Sequence, residues 1–258
     1  MTADIVVFVM RRPLLTILFC GVPLFTLLTV APTLAQPSAV FSHDSGHAVG
    51  HQGHNQAASG DAWEGSPNGI AYSERNHHIA GFLVVVMGLA ECTRVLRLRS
   101  QRWAGLLLPS ALIFTGMFLL IWSDHEAWPI GSLGFAETFL GGDHEIMQHK
   151  VYGLLAFMVG SVELLRRVGR IGHNAWASPL PLMAIVGGLM LFGHSHGFHP
   201  SAQKIAMHHA IMGTMAITAG SSKLVSAWVA PSSGSKNWEW VWAALILLIG
   251  AQLLFYSE

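Results

Sequence analysis

The sequence predicts an all-α polytopic membrane helical bundle: six transmembrane helices after a signal segment, built from three helix-pair repeats. Three observations carry that reading. Hydrophobic residues make up 52% of the 258 residues and charged residues 11%, whereas a soluble domain carries about a quarter charged. Six apolar segments, at about 76–97, 103–123, 146–166, 176–194, 205–229 and 238–256, each approach the roughly 20 residues that a spanning helix needs. The third observation is a frame shared by the first, third and fifth segments: His, three residues, Gly, six residues, Gly, two residues, then Glu or Lys. Its members are His77, Gly81, Gly88 and Glu91; His149, Gly153, Gly160 and Glu163; and His209, Gly213, Gly220 and Lys223.

In chain order, residues 1–35 read as a signal peptide. Arg11 and Arg12 precede an apolar run from Leu14 to Val30, and Thr33-Leu34-Ala35 fits a cleavage site. An uncleaved anchor is the alternative. Residues 36–72 form a His-rich disordered periplasmic segment. Gly, Ser, Ala and Gln dominate it, with His43, His47, His51 and His54 at intervals of three or four. Such a composition buries too little apolar surface to fold alone, and His-rich tracts suit loose metal capture. Residues 73–258 are the six-helix transmembrane domain. Trp103, Trp122, Trp176, Trp228 and Trp238 fall near segment ends, where an interfacial aromatic belt belongs. Cleavage would remove Cys20 and leave Cys92 alone, so no disulfide framework is expected.

Lys and Arg set the orientation. Arg11, Arg12, the four arginines at 94, 97, 99 and 102, Arg166, Arg167, Arg170, Lys223 and Lys236 share one side, leaving Arg75, Lys150 and Lys204 for the other. The basic-rich side should be cytoplasmic. The chain is then a multi-pass protein of the bacterial inner membrane, with both mature termini periplasmic. Every histidine except His173 lies on the periplasmic side. Lys and Arg balance Asp and Glu at 14 each, and no basic patch points to nucleic acid.

On a helix turning about 100° per residue, the four members of each frame fall within about 40° of the leading histidine, forming one narrow stripe. Glycines on such a stripe let membrane helices approach closely. The stripes are expected to pack the odd-numbered helices together and to gather His77, His149 and His209. His125 and His196 end the intervening segments, each nine residues after a glycine (Gly116, Gly187) and four before a proline (Pro129, Pro200). The expected metal ligands are His77, His78, His125, His149, His194, His196, His199, His208 and His209. The positive end of a helix dipole keeps a first-turn imidazole neutral, and neutral imidazole suits copper, zinc, iron and nickel. Asp124, Glu126, Asp143, His144 and Glu145 stand nearby as hard donors or as groups that orient the rings. Glu91 and Glu163 are read as ion-pair partners of Arg94 and Arg166, or as an exit-side cation site.

The stretches Glu74-Arg75-Asn76-His77-His78, Asp124-His125-Glu126-Ala127-Trp128-Pro129, Gln148-His149-Lys150, Phe192-Gly193-His194-Ser195-His196-Gly197 and His208-His209 resemble uncharacterised bacterial inner-membrane proteins related to CopD-type copper-resistance membrane proteins. The resemblance spans about residues 70–230. It implies periplasmic copper handling and transfer into or across the membrane, with a copper ion as cargo. The expected partners are the lipid bilayer, the metal ion and a periplasmic metal chaperone. A copper-binding β-sandwich, which some relatives carry, is not recognisable. Two other readings remain open. A b-type cytochrome would ligate haem b through His149 with His209, or His77 with His125. A membrane metallo-oxygenase would use several histidines around two metals, but the spacing matches no catalytic box, so binding or transport is expected rather than catalysis.

The charge asymmetry makes a direct prediction. In a background without Cys20 and Cys92, cysteines at Ala127 and Ser201 should react with an impermeant thiol reagent in intact spheroplasts, and one at Ser100 should not. The reverse labelling pattern would overturn the orientation.

Overall fold

The computed structural model describes residues 65–97, 103–193, 201–228 and 235–258. The signal segment, the histidine tract up to residue 64, and His194, His196 and His199 lie outside the described residues. Within them the chain is all-helical, with no strand. The helices are α1 (Pro67–Val95), α2 (Ala104–Ile121), the short α3 (Phe135–Leu140), α4 (His144–Arg167), α5 (Pro179–Leu191) preceded by a 3-10 turn (Asn174–Ala177), α6 (Ala202–Trp228) and α7 (Ser235–Leu254).

Local chemistry sets the helix starts. Ser66 accepts a hydrogen bond from the Gly69 amide at 3.1 Å, and Pro67 occupies the first helical position. Proline is pre-organised there, because the amide it lacks would have no partner anyway. The helix therefore begins before residue 73, and residues 67–72 belong to it rather than to the preceding tract. Asp143 caps α4 by accepting from the Ile146 amide at 3.1 Å, a structural task for a residue also eligible as a hard donor. The α2–α4 connection contains α3, which the sequence pattern did not reveal. Thr138 of α3 accepts from the Trp128 amide at 2.9 Å and holds the loop down. Ala127 is fully buried beneath it. A cysteine at Ala127 is thus shielded, and the exposed Ser132 is the reporter for this loop.

The long helices pack in a closed circuit: α1 on α2, α2 on α4, α4 on α5, α5 on α6, α6 on α7, and α7 back on α1. One end of the circuit carries the described histidines His77, His125, His149 and His209. The other carries Arg94, Arg166 and Arg167. Four stretches are long and apolar enough to cross a membrane: Pro67–Val95, Ala104–Ile121, Asn174–Leu191 and Lys236–Leu254. The more polar α4 and α6 fall outside that set. A core of Met87, Leu108, Leu112, Val159, Met183 and Trp242 fills the interior. Large apolar side chains such as Phe82, Phe114, Leu154 and Leu248 face outward, and exposed tryptophans mark the helix ends at 103, 122, 176, 228 and 238.

The glycine stripes do not pack the odd-numbered segments on one another, contrary to the sequence expectation. Each packs its helix against the partner that precedes it around the circuit. A Cβ on Gly116 of α2 would lie 2.5 Å from the Phe157 amide of α4, one on Gly188 of α5 3.0 Å from the Ile217 amide of α6, and one on Gly250 of α7 2.6 Å from the Val85 amide of α1. Phe157, Ile217 and Val85 each stand four residues after the first glycine of their frame. The second glycines, at 88, 160 and 220, meet Leu247, Ile113 and Ile185, each three residues before the facing glycine. The crossing glycine of α5 is therefore Gly188, while Gly187 lies against the ring of Tyr152.

These crossings leave no room for a side chain. Gly116→Val should destabilise the protein by about 1–3 kcal/mol, the usual cost of overpacking a filled interface. Gly105→Ala, which meets nothing within 4 Å, should leave stability unchanged or raised. Thermal unfolding in detergent compares the two, and equal behaviour would contradict the packing.

Candidate functional site

At the histidine end, α1, the end of α2 with its following loop, and the start of α4 enclose a cavity of about 200 Å³. His77, His125 and His149 line it, together with Asp124, Glu126, Asp143, Glu145 and Glu258. Three imidazoles thus share one space with five carboxyl groups. The cavity is held open by polar bridges between its walls. Tyr72 of α1 donates to the Trp122 carbonyl at 2.6 Å, and Asn76 donates to the Ser123 carbonyl at 3.1 Å.

Asp124 is the organising group. It follows the last turn of α2, and its side chain is only 10% exposed. One carboxylate oxygen accepts from His149 Nδ1 at 2.7 Å. The other lies 3.3 Å from Lys150 Nζ and accepts from the Ser123 hydroxyl. Lys150 is almost fully buried and also donates to the Leu120 carbonyl at 3.0 Å, satisfying an open carbonyl of the last turn of α2. Burial opposes the charge on Asp124, but the hydrogen bond and charge of His149, the Ser123 hydroxyl and Lys150 outweigh it and hold its carboxyl below the ordinary range. The sign follows. A depressed carboxyl contributes stability above its unfolded value of about 3.9 and loses it as the pH falls through the lowered folded value.

The tautomers follow from the partners. A carboxylate or carbonyl can only accept, so His149 donates from Nδ1 to Asp124, and His77 donates from Nδ1 to the Ser73 carbonyl at 2.9 Å. When these rings are neutral, both lone pairs sit on Nε2. This is the second-partner arrangement that fixes ring orientation and raises basicity in metal-binding histidines.

His77, His78 and His208 gather around Tyr256, just past the end of α7. His77 stacks on the Tyr256 ring with centroids 4.0 Å apart, and His208 meets it edge-on at 5.6 Å. His78 Nε2 donates to the Tyr256 carbonyl at 2.9 Å. His209 is buried, its ring centroid 6.4 Å from that of His77. Gln252 donates to the His208 carbonyl at 3.2 Å. The Tyr256 hydroxyl donates to Glu258 at 3.2 Å, and burial pushes its pKa upward. His77 belongs to both groups, the cavity and the cluster around Tyr256. His125 packs edge-on against Tyr72 at 5.6 Å, and His144 is exposed at the start of α4.

The structure therefore joins His77, His125 and His149 around one space, sets His209 beside His77, and brings His78 and His208 to Tyr256. Among the described residues, no three His, Cys, Asp or Glu side chains stand close enough together to hold a metal ion as they are. Tyr72, Ser73, Lys150, Tyr256 and Glu258 were not singled out from the sequence. Nothing in local pattern marks them, because their roles arise from contacts across 26 to 185 residues of chain.

Asp124→Asn keeps the shape but offers His149 a neutral partner. If the cavity holds a metal ion, the affinity of the purified protein for it should drop about 10- to 100-fold, the usual effect of losing a group that orients a ligand. Calorimetric titration measures it, and an unchanged affinity would remove Asp124 from the site. Comparison with known protein families, curated proteins and solved structures yields no match for this chain, so its function rests on the side chains described above.

Proposed function

We propose that this chain is a six-span inner-membrane protein that handles metal ions through a periplasm-facing histidine cavity, with copper as the ion carried. The observation that supports it most is the pair His77 and His149. Each lines the same cavity, and each ring is held in place through Nδ1, His149 by the Asp124 carboxylate and His77 by the Ser73 carbonyl. Imidazole is a good donor to copper, and the surrounding carboxyl groups draw cations toward the rings. The cavity volume of about 200 Å³ falls below the roughly 300–1,000 Å³ typical of organic cofactor pockets, which favours an ion over a haem macrocycle. The resemblance to CopD-type proteins points the same way. On this reading, a periplasmic metal chaperone delivers the ion.

Burial supports counting α4 and α6 among the spans. Their ionisable groups Lys150, Glu163, His209 and Lys223 are buried, while Val151, Leu154, Phe157, Met207 and Ile211 face outward. Intramembrane polar groups turned toward a bundle interior and away from lipid fit a spanning helix. Three helix pairs, α7 with α1, α2 with α4 and α5 with α6, then form three repeats, because their glycine crossings share one register. The arginine end lies in the cytoplasm by the excess of Lys and Arg.

Helices hold His77 and His149 in place, so less ordering entropy opposes coordination there than in the N-terminal tract. Deleting residues 40–60 should lower metal capture at low supply and leave tight stoichiometric binding intact. His77→Ala with His149→Ala should abolish the tight site with the tract present. Copper titration of both variants, under reducing and oxidising conditions, gives the test. Tight binding that survives the double substitution would refute the core assignment. A Soret band in the purified protein would replace the ion with haem.

A further inference from the structure

At the opposite end of the bundle, Glu91 of α1 is fully buried. One of its oxygens accepts from Arg167 of α4 at 2.8 Å. The other accepts from Lys223 of α6 at 3.2 Å, Trp242 of α7 at 2.9 Å and Arg94 at 3.4 Å. Glu163 takes Arg166 at 2.8 Å and Arg167 at 2.7 Å, and Glu239 of α7 takes Arg94 at 3.3 Å. Four cations (Arg94, Arg166, Arg167 and Lys223) thus face three carboxylates (Glu91, Glu163 and Glu239), which leaves one positive charge in excess. Beside this network is a second cavity of about 260 Å³, lined by Arg94, Arg166 and Arg167 with Gly105 and Leu106 of α2. Arg167 is committed on all three nitrogens, to Glu163, Glu91 and the Gly105 carbonyl. Arg94 uses only Nη2, and Arg166 only Nε and Nη2. Nε and Nη1 of Arg94 and Nη1 of Arg166 make no hydrogen bond among the described residues, and both side chains are partly exposed, at 40% and 33%.

We propose that this arginine-lined cavity between α1, α2 and α4 binds one phosphate-bearing anion, the phosphodiester headgroup of an anionic phospholipid. A monoanion cancels the single excess charge, and guanidinium donors match phosphate oxygens in pairs. The surroundings favour a lipid over free phosphate. Trp103, at the start of α2, is exposed at interfacial depth, and the exposed Leu96 and Leu165 offer apolar surface to acyl chains. Basic pockets between membrane helices at a cytoplasmic face bind such headgroups. The site is independent of the metal reading, since none of its residues belongs to the histidine end.

The test uses the full-length protein in detergent with phosphatidylglycerol or phosphatidylcholine, lipid retention being counted by native mass spectrometry. One phosphatidylglycerol should be retained in preference to phosphatidylcholine. Arg94→Gln and Arg166→Gln should each lower that preference about fivefold, as expected for one basic group at an anionic surface. Glu239→Gln should raise it, because it frees Arg94 from a competing carboxylate; a purely structural role for Arg94 would not move retention upward. Circular dichroism and gel filtration establish that each variant is folded. Equal retention of the two lipids, or an unaltered preference in the folded Arg94→Gln and Arg166→Gln variants, overturns the proposal. Displacement of the lipid by excess inorganic phosphate would assign the cavity to the free anion and overturn the lipid assignment.

Discussion

A carboxylate buried without solvent must find hydrogen-bond donors, charged ones above all, and Glu91 finds donors on three other helices. Arg167 reaches it from α4, Lys223 from α6 and the Trp242 indole from α7. Leaving a buried charge uncompensated costs about 3–5 kcal/mol, so this node sets the rotation and depth of the helices that meet there. Glu91, Glu163 and Lys223 hold the same position in their frames. Two anions and a cation at equivalent places allow mutual neutralisation that three identical residues would not. The ion pairs with Arg94 and Arg166 anticipated from sequence are present, but they form the rim of a larger network.

Above that node the glycines govern. With no Cβ at positions 116, 188 and 250, each helix approaches its partner until backbone meets backbone, and packing in place of hydrophobic burial drives association between apolar helices. Close pairing of α2 with α4 brings the end of α2 over the start of α4. That juxtaposition delivers Asp124 to His149 and Lys150. The histidine cavity is thus a consequence of the glycine crossings, and the two ends of the molecule are coupled through rigid helices. A wedge at Gly116 would act on the geometry of the histidine cavity without touching a histidine that lines it.

The all-helical nature of the described chain, its apolar character and five helix-end tryptophans were legible from composition and periodicity, because each depends on residues close in sequence. Helix starts were less so: Ser66-Pro67 moved the first one back into a stretch whose composition reads as disordered. The stripe of His, Gly, Gly and Glu or Lys was also visible, since a helix turns a fixed angle per residue. Its partner was not visible. A small-residue stripe states that something comes close and is silent about what, which is why the odd segments were expected to meet one another and instead met the even ones.

What the sequence by itself determined is a set of faces: which side of each helix is apolar, which carries glycine, and which end carries histidine or arginine. Only the tertiary structure decided which faces meet. It chose Gly188 over Gly187, made Asp124 a hydrogen-bond partner of His149 in place of a solvated acid, and put Tyr256 against His77 across 179 positions of chain. Those choices turn on distances of a few tenths of an ångström between side chains far apart in sequence, and local pattern holds no record of them.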